Sequence, residues 1–196
     1  HALADVLLGD RDPGGRLPTT FARRIEHTPA FTSYPGEFGA VRYGEGLFVG
    51  HRWYDARAIE PLFPFGHGLS YTTVEIGEVE ATVGDDGGAT VSVVVTNTGE
   101  RRGSEVIQAY VEPPGAAAAR PVRQLAGFAK VELDPGESRT ITLTVPPRAF
   151  AYWDPAQRTW TVEDGLHGLW VGRSSRDLTE WVAVHPGPRT LPTPQP

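Results

Sequence analysis

Two acidic residues stand close to aromatic residues in the first third of the chain. Glu45 and Asp55 are ten positions apart, with Tyr43 and Trp53 beside them. Aromatic rings can stack against sugar rings, and carboxylates can bind hydroxyl groups or transfer protons. The pattern therefore suggests a sugar site. We favour a structural interpretation, because a carboxylate near the start of a helix is stabilised by the helix dipole.

Two further side chains of this segment could take part in chemistry or binding. Arg52 lies between the two acidic residues, and we expect it to pair with Glu45 or Asp55 rather than to contact a substrate. His67 lies between two glycines, where a free imidazole could transfer protons or bind a metal ion. The other five histidines are scattered along the chain and offer no second ligand at a suitable spacing. We predict no metal site and no cofactor.

Short and irregular elements are predicted to position these residues. Residues 1–9 have apolar side chains at helical spacing and predict a short helix with one buried face, ended by a glycine. Residues 16–21 could supply an edge strand. Residues 22–42 are interrupted by Pro and Gly and predict a loop on a neighbouring surface. Residues 45–57 predict a short helix, and residues 60–68 predict an ordered aromatic loop.

The sequence after residue 71 has a different pattern. Short runs rich in Val, Thr and Ile are separated by turn residues at intervals of roughly ten, which is typical of a β-sandwich. Two sheets are therefore predicted over residues 72–185. Their strands are predicted at 73–83, 89–98, 104–112, 122–133, 138–145, 149–153, 159–163, 168–172 and 179–184.

Aromatic residues of the predicted sandwich could either fill its core or form a carbohydrate-binding platform. Aromatic side chains on strands normally fill the space between two sheets, whereas a platform needs several of them on one exposed face. We therefore predict core packing for Tyr110, Phe128, Phe150, Tyr152, Trp153, Trp160, Trp170 and Trp181.

Two segments of this half are predicted to be irregular. Residues 113–121 form the least regular connection, and we expect this loop to reach toward a partner domain. Residues 186–196 contain five prolines and predict a disordered, polyproline-like tail.

Composition narrows the classes of function. The 196 residues, 39% hydrophobic and 21% charged, suit a folded chain of one large or two small domains. A net charge of −6 and scattered basic residues argue against a nucleic-acid partner, and no apolar run approaches the roughly 18 residues that cross a membrane. The absence of Cys excludes disulfides but leaves the cellular compartment open. Because there is no Met, we expect a truncated sequence.

Several motifs occur in a fixed order along the chain. The first 71 residues contain Pro13-Gly-Gly-Arg-Leu-Pro18, Tyr43-Gly-Glu-Gly-Leu-Phe-Val-Gly-His-Arg-Trp-Tyr-Asp55 and Phe65-Gly-His-Gly-Leu-Ser-Tyr71. The sandwich region adds Val95-Thr-Asn-Thr-Gly99. Together these motifs resemble the late part of glycoside hydrolase family 3, the β-glucosidase and β-xylosidase family, over residues 1 to about 185. The chain departs from the family at His51, where Tyr is usual.

The resemblance implies a mainly β fold in two parts. Residues 72–185 would form an immunoglobulin-like, fibronectin type III-like β-sandwich, preceded at residues 1–71 by an incomplete remnant of the family's α/β sandwich domain. It also implies a retaining mechanism, in which one carboxylate attacks the anomeric carbon and a second carboxyl group, roughly 5–5.5 Å away, protonates the leaving oxygen. In the family these groups come from an N-terminal (β/α) barrel and an earlier part of the α/β sandwich domain, so both are expected upstream of residue 1.

We therefore assign no catalytic residue to this chain and expect it to be inactive alone. Tyr43, Glu45, Arg52 and His67 stay as candidates for substrate binding. The expected partners are the missing barrel and sandwich segments of the same parent enzyme, which would act on a β-linked sugar and cover apolar surface on residues 1–71.

Two alternative functions are also compatible with the sequence. The chain could be a free-standing fibronectin-like module that binds carbohydrate or protein, which an exposed row of Trp side chains would favour. It could also be a self-sufficient hydrolase that uses Glu45 and Asp55. Neither the sugar nor the compartment follows from these residues.

Overall fold

Regular structure is distributed unevenly along the chain. The computed structural model describes residues 1–115 and 119–192. Its first 71 residues contain two short α-helices, α1 (Ala2–Leu7) and α2 (His51–Ala56), and a single 3-10 turn at Ile25–His27. The rest of this half consists of turns and extended loops.

Ten strands are found among the described residues of the second half. A 3-10 turn at Pro147–Phe150 leads into the sixth. The strands are β1 (Val74–Val83), β2 (Ala89–Asn97), β3 (Gly103–Glu112), β4 (Gln124–Leu133), β5 (Ser138–Val145), β6 (Ala151–Asp154), β7 (Thr159–Val162), β8 (His167–Gly172), β9 (Leu178–Val184) and β10 (Arg189–Leu191).

All strand pairs are antiparallel and form three sheets. One sheet has the order β1-β2-β5, a second has the order β4-β3-β8-β9, and a small third sheet has the order β10-β7-β6. The first two pack face to face over one core that contains Val91 and Val95 of β2, Ile107 of β3, Leu143 of β5 and Leu169 of β8. The side chains of β2 alternate between buried and more exposed positions, as expected for a strand with one face on a core.

A buried amide joins the turns at one end of the sandwich. Asn97 is fully buried, and its Nδ2 donates to the carbonyl oxygens of Arg101 at 2.8 Å and Leu133 at 3.0 Å. Its Oδ1 accepts from Thr72 Oγ1 at 2.6 Å and from the Gly99 amide at 3.1 Å. All four hydrogen-bonding positions of this side chain are thus used, which is what its burial requires.

The predicted mainly β fold is confirmed, and all nine predicted strands are present within a few residues of their expected bounds. The two short helices are also found. The edge strand predicted at residues 16–21 is wrong, because this segment makes only one isolated bridge, between Phe21 and Phe63. The buried face predicted for α1 is wrong as well, since no residue of this helix is buried.

The predicted disordered tail is wrong for part of its length. Arg189–Leu191 form β10 and pair with β7. The Arg189 guanidinium donates to the carbonyl oxygens of Asp85 at 3.1 Å and Pro186 at 2.8 Å, which holds the segment against the sandwich. Residues 193–196 of the predicted tail, and residues 116–118 of the loop expected to reach a partner domain, lie outside the described residues.

Replacing Leu143 with Ala tests whether the two sheets share one core. Leu143 is 1% exposed, so Leu143→Ala should lower the free energy of unfolding by about 2–5 kcal/mol through lost burial and a cavity. Urea unfolding followed by tryptophan fluorescence measures this change. Val94→Ala is the control, because Val94 lies on the neighbouring strand and is 39% exposed; equal losses in both variants would contradict the shared core.

Candidate functional site

The predicted sugar-binding residues before α2 lie at the surface but do not form an open site. Tyr43 is 83% exposed. Glu45 borders a small cleft of about 180 Å³ together with Trp53 and Arg57. The Arg57 guanidinium lies 4.4 Å from the centroid of the Trp53 ring, and Trp53 Nε1 donates to the His27 carbonyl oxygen at 2.9 Å. The indole is therefore engaged within the chain.

Asp55 points into the protein, away from solvent. Its side chain is 2% exposed, and Oδ1 lies 3.0 Å from Arg176 Nε. The predicted ion pair between Arg52 and either Asp55 or Glu45 is wrong, since the partner is an arginine from the distant β8–β9 turn. Burial raises the pKa of Asp55 and outweighs the opposing effects of Arg176 and Arg123. A carboxylate in this position cannot reach a substrate in solution.

His67 lies in a different cleft from Glu45. Its ring stacks on Phe63 with centroids 5.3 Å apart, and its carbonyl oxygen accepts from the Leu17 amide at 2.9 Å. The cleft has a volume of about 230 Å³ and is also lined by Arg16 and Glu105. The candidate residues are therefore not brought together at one site. Among the described residues, no group of three or more His, Asp or Glu side chains could hold a metal ion.

The polar side chains of this region form an interface between the first 71 residues and the sandwich. Asp12 is one anchor. Its Oδ1 accepts from Ser70 Oγ and the Tyr71 amide, each at 2.7 Å, and its Oδ2 accepts from the Ser104 amide at 2.9 Å. Burial alone raises the pKa of Asp12, but these hydrogen bonds outweigh it and lower the pKa below its ordinary value.

An ion pair between Arg16 and Glu105 is the second anchor. The two side chains are 10% and 8% exposed. Arg16 donates to Glu105 Oε1 through both Nε, at 3.1 Å, and Nη2. The same oxygen accepts from the Val106 amide at 2.7 Å. Several donors thus compensate the burial of this carboxylate, which a buried charge requires.

Gln108 is the third anchor and lies at the centre of the interface. Its Nε2 donates to the carbonyl oxygens of Gly66 at 3.2 Å and Arg173 at 2.6 Å, and its Oε1 accepts from Tyr110 Oη at 2.7 Å. Gly66 has a φ of +82°, and a Cβ there would lie 2.3 Å from Gln108 Oε1. Only glycine lets the loop approach this closely without a shift.

A stack of rings lies next to Gln108. His51 on α2 stacks on Phe65 with centroids 4.9 Å apart and meets the edge of Tyr110 at 6.0 Å. Burial, helped by the charges of Arg52 and Arg123 and opposed by a backbone hydrogen bond at Arg123, lowers the pKa of His51 to about 4. The ring is therefore neutral at pH 7 and packs between Phe65 and Tyr110.

Two protein-family models match the two halves of this arrangement. Residues 1–71 match the glycosyl hydrolase family 3 C-terminal domain, and residues 105–175 match the fibronectin type III-like domain. The chain belongs to glycoside hydrolase family 3.

Relatives and solved structures of family 3 are similar over nearly the whole chain. Thermostable β-glucosidase B of Acetivibrio thermocellus is 47% identical, covering 90% of this chain and 24% of that protein. An exo-α-(1→6)-L-arabinopyranosidase of Bifidobacterium breve is 46% identical, covering 93% of this chain and 24% of that protein.

Two crystal structures extend the likeness to the fold. The Bifidobacterium adolescentis family 3 β-glucosidase superposes with a TM-score of 0.90 at 44% identity, covering 94% of this chain and 27% of that one. DesR, a β-glucosidase from Streptomyces venezuelae in complex with glucose, gives a TM-score of 0.90 at 39% identity, covering 94% and 24%. The chain thus spans about a quarter of the length of these relatives.

The family 3 chain exposes much apolar surface on its first half. Of the 22 large apolar side chains that are exposed among the described residues, 16 lie within residues 1–71. Scattered apolar residues are normal on a surface, but a concentration on one part of a chain marks an interaction surface. We call these 16 residues the apolar surface: Leu3, Leu7, Leu8, Phe21, Ile25, Phe31, Tyr34, Phe38, Val41, Tyr43, Leu47, Val49, Leu62, Phe63, Leu69 and Tyr71.

The anchors of the family 3 chain were not assigned from the sequence. Asp12 and Arg16 belong to the turn-rich segment before residue 18, where the Pro-Gly-Gly run indicates a turn but gives no signal for a buried hydrogen-bonding partner. Core packing is confirmed for Phe150, which is fully buried in the core between the sheets. Tyr110 is also buried, but it lies on the opposite face of β3, against His51 and Gln108. Core packing is wrong for Phe128, Trp153 and Trp181, which are 67%, 41% and 53% exposed. Their strands have a second face that the core does not cover.

Removing Glu105 tests the buried ion pair. Glu105→Ala leaves the Arg16 guanidinium buried without its partner, so the free energy of unfolding should fall by about 3–5 kcal/mol. Urea unfolding at pH 7 measures the loss. Glu132→Ala is the matched control on the neighbouring strand, because the pair of Glu132 with Arg102 is more than 60% exposed on both sides and should contribute much less. Similar losses in the two variants would contradict the anchor.

The lowered pKa of His51 predicts a dependence of stability on pH. Its folded pKa of about 4 lies below the ordinary 6.5, so folding favours the neutral ring. This contribution is complete above pH 6.5 and is lost as the pH falls toward 4. Substituting His51→Tyr should therefore reduce the loss of unfolding free energy between pH 6.5 and 4 by about 2 kcal/mol. Urea unfolding at several pH values tests it; an unchanged loss in the variant would argue against the buried neutral imidazole.

Proposed function

We propose that this chain forms the carboxy-terminal portion of a retaining β-glycosidase. Residues 1–71 would be the end of its α/β sandwich domain, and residues 72–185 would be the fibronectin type III-like domain that supports it. The observation that carries this proposal is the apolar surface, which lies on the half of the chain that matches the family 3 C-terminal domain. The sandwich holds that half through the contacts of Asp12, Arg16 and Gln108.

We assign the catalytic groups to segments upstream of residue 1. A retaining glycosidase needs two carboxyl groups about 5–5.5 Å apart on either side of the scissile bond. Asp55 is buried against Arg176, and Glu45 lies in a turn beside Trp53. This supports an anchoring role for Asp55 and argues against a self-sufficient hydrolase built on these two residues. The chain alone should be inactive.

The substrate class that we propose is a β-linked sugar. It rests on the β-glucosidases among the relatives. A relative of similar identity is named as an exo-α-(1→6)-L-arabinopyranosidase, which supports the proposal that the choice of sugar is made outside this quarter of the protein. We propose an indirect effect on the substrate for four residues: Tyr43, Glu45, Arg52 and His67. They would influence substrate binding only by helping to position the upstream segments.

We propose that the partners of the apolar surface are the barrel and the missing sandwich segments of the same enzyme. The relatives are larger enzymes with other domains, which supports this proposal, and they give no support to a free-standing binding module. No described helix is long and apolar enough to span a membrane. We propose neither a nucleic-acid partner nor a membrane partner.

A chimera tests the proposed function directly. The matching 180 residues of the A. thermocellus β-glucosidase are replaced by the corresponding part of this chain, and hydrolysis of p-nitrophenyl β-D-glucopyranoside is measured. We expect the chimera to fold and to hydrolyse the substrate, whereas this chain alone should show no turnover. Turnover by the isolated chain, or a chimera that folds but is inactive, would overturn the proposal.

Charged substitutions in the chimera test whether the apolar surface, rather than the surface of the sandwich, contacts the other domains. Leu3 and Leu7 are 73% and 70% exposed in this chain, so Leu3→Asp with Leu7→Asp should do little to the isolated chain. In the chimera the same changes should place charges in the domain interface and lower activity by at least about tenfold. Val94→Asp, at an exposed position of the sandwich, is the control. Full activity with both leucines replaced would show that the apolar surface is not the interface.

A further inference from the structure

Two tryptophans lie side by side on the outer face of the four-stranded sheet. Trp170 of β8 and Trp181 of β9 are direct cross-strand neighbours. Their ring centroids are 6.3 Å apart, and the rings are tilted by 57°. Trp181 is 53% exposed. Burial of a large aromatic side chain stabilises a fold, so a pair with only a structural role should be buried. The exposed Trp181 ring does not make use of this stabilisation.

The polar groups around the pair are arranged at one edge of the two rings. Trp170 Nε1 donates to Glu112 Oε2, and the Arg123 guanidinium lies 5.4 Å from the centroid of the Trp170 ring. Trp170 is thus fixed by two neighbours. Trp181 Nε1 makes no hydrogen bond with the described residues, so this edge holds both a carboxylate and a free N–H donor.

Gly168 allows the two rings to converge. A Cβ at this position would lie 2.6 Å from Trp181 Nε1 and 3.4 Å from Trp170 Nε1. The Trp181 indole therefore lies against bare backbone, and any side chain at residue 168 would displace it. The same Cβ would lie 3.3 Å from Glu112 Cβ, so both indole nitrogens and the Glu112 side chain surround residue 168.

We propose that Trp181, Trp170 and Glu112 form a binding site for a β-linked glucan chain. One sugar ring would stack on the exposed face of Trp181. Hydroxyl groups of a neighbouring sugar in the chain would accept from Trp181 Nε1 and donate to the free lone pairs of Glu112. The inference goes beyond the proposed glycosidase function, because it concerns only residues present in this chain and holds whether or not the parent hydrolyses glucosides.

The local chemistry favours a neutral sugar over other aromatic-binding ligands. An organic cation would be attracted to the rings, but the Arg123 guanidinium already occupies the position over Trp170. A free indole N–H next to a carboxylate instead matches the mixed donor and acceptor character of a sugar hydroxyl.

Calorimetric titration of the full chain with cellohexaose tests the site. We expect saturable binding with a Kd at or below about 1 mM, and Trp181→Ala should weaken it by at least about tenfold. Gly168→Ala keeps both indoles but forces Trp181 out of place, so it should weaken binding similarly. Thermal melting identifies any variant that fails to fold, and Trp181→Ala should fold normally because the ring is half exposed.

A second exposed pair of tryptophans provides the matched control. Trp153 and Trp160 have centroids 5.6 Å apart, and Trp153 is 41% exposed, but neither indole donates to a carboxylate among the described residues. Trp153→Ala should leave the Kd within about twofold. The proposal is overturned by equal weakening in Trp153→Ala and Trp181→Ala, by no saturable binding up to about 10 mM, or by tetramethylammonium displacing the sugar, which would indicate a cation site.

Discussion

Strand β3 is buried on both faces, and the rest of the molecule follows from this constraint. On one side, Ile107, Ala109 and Val111 belong to the core between the sheets. On the other side, the side chains of Gln108 and Tyr110 are 3% and 1% exposed beneath residues 51–66. A buried polar group without a partner costs about 1–3 kcal/mol. The second face of β3 is therefore stable only when residues 1–71 supply hydrogen bonds to it.

The dependence also runs in the opposite direction. Helices α1 and α2 have six residues each, whereas an isolated helix in water needs about 12–15 residues even to be marginal. Neither helix has a side-chain cap at its start. The shape of residues 1–71 is therefore set largely by contact with the sheet, through Asp12, the ion pair of Arg16 with Glu105, and the stacking of His51 on Phe65. Each half completes the other.

The sandwich could be predicted from the sequence because its signal is local. Alternation of apolar residues along β2 and turn residues between strands mark both the strands and their inner faces. The same alternation shows which residues share a face of a strand, but it does not show whether another element covers that face. The core packing predicted for Phe128 and Trp181 is wrong for this reason. The partner of Asp55 could not be predicted either, because Arg176 is distant in the sequence and only the tertiary fold brings it near. The motif around Tyr43 indicates the family. Its residues do not form one site, because each of them contacts a different part of the structure.

The turn between β8 and β9 links the two halves at several points. The Arg173 carbonyl oxygen accepts from Gln108, the Ser175 amide donates to the Phe65 carbonyl oxygen at 2.9 Å, and Arg176 pairs with Asp55. Separating residues 51–66 from the sheet would therefore disrupt this turn, and loosening the turn would release α2. Segments tied in this way open as one cooperative unit, with a shared opening free energy. The hairpin that carries Trp170 and Trp181 thus has its mobility set by how firmly the first half of the chain is held.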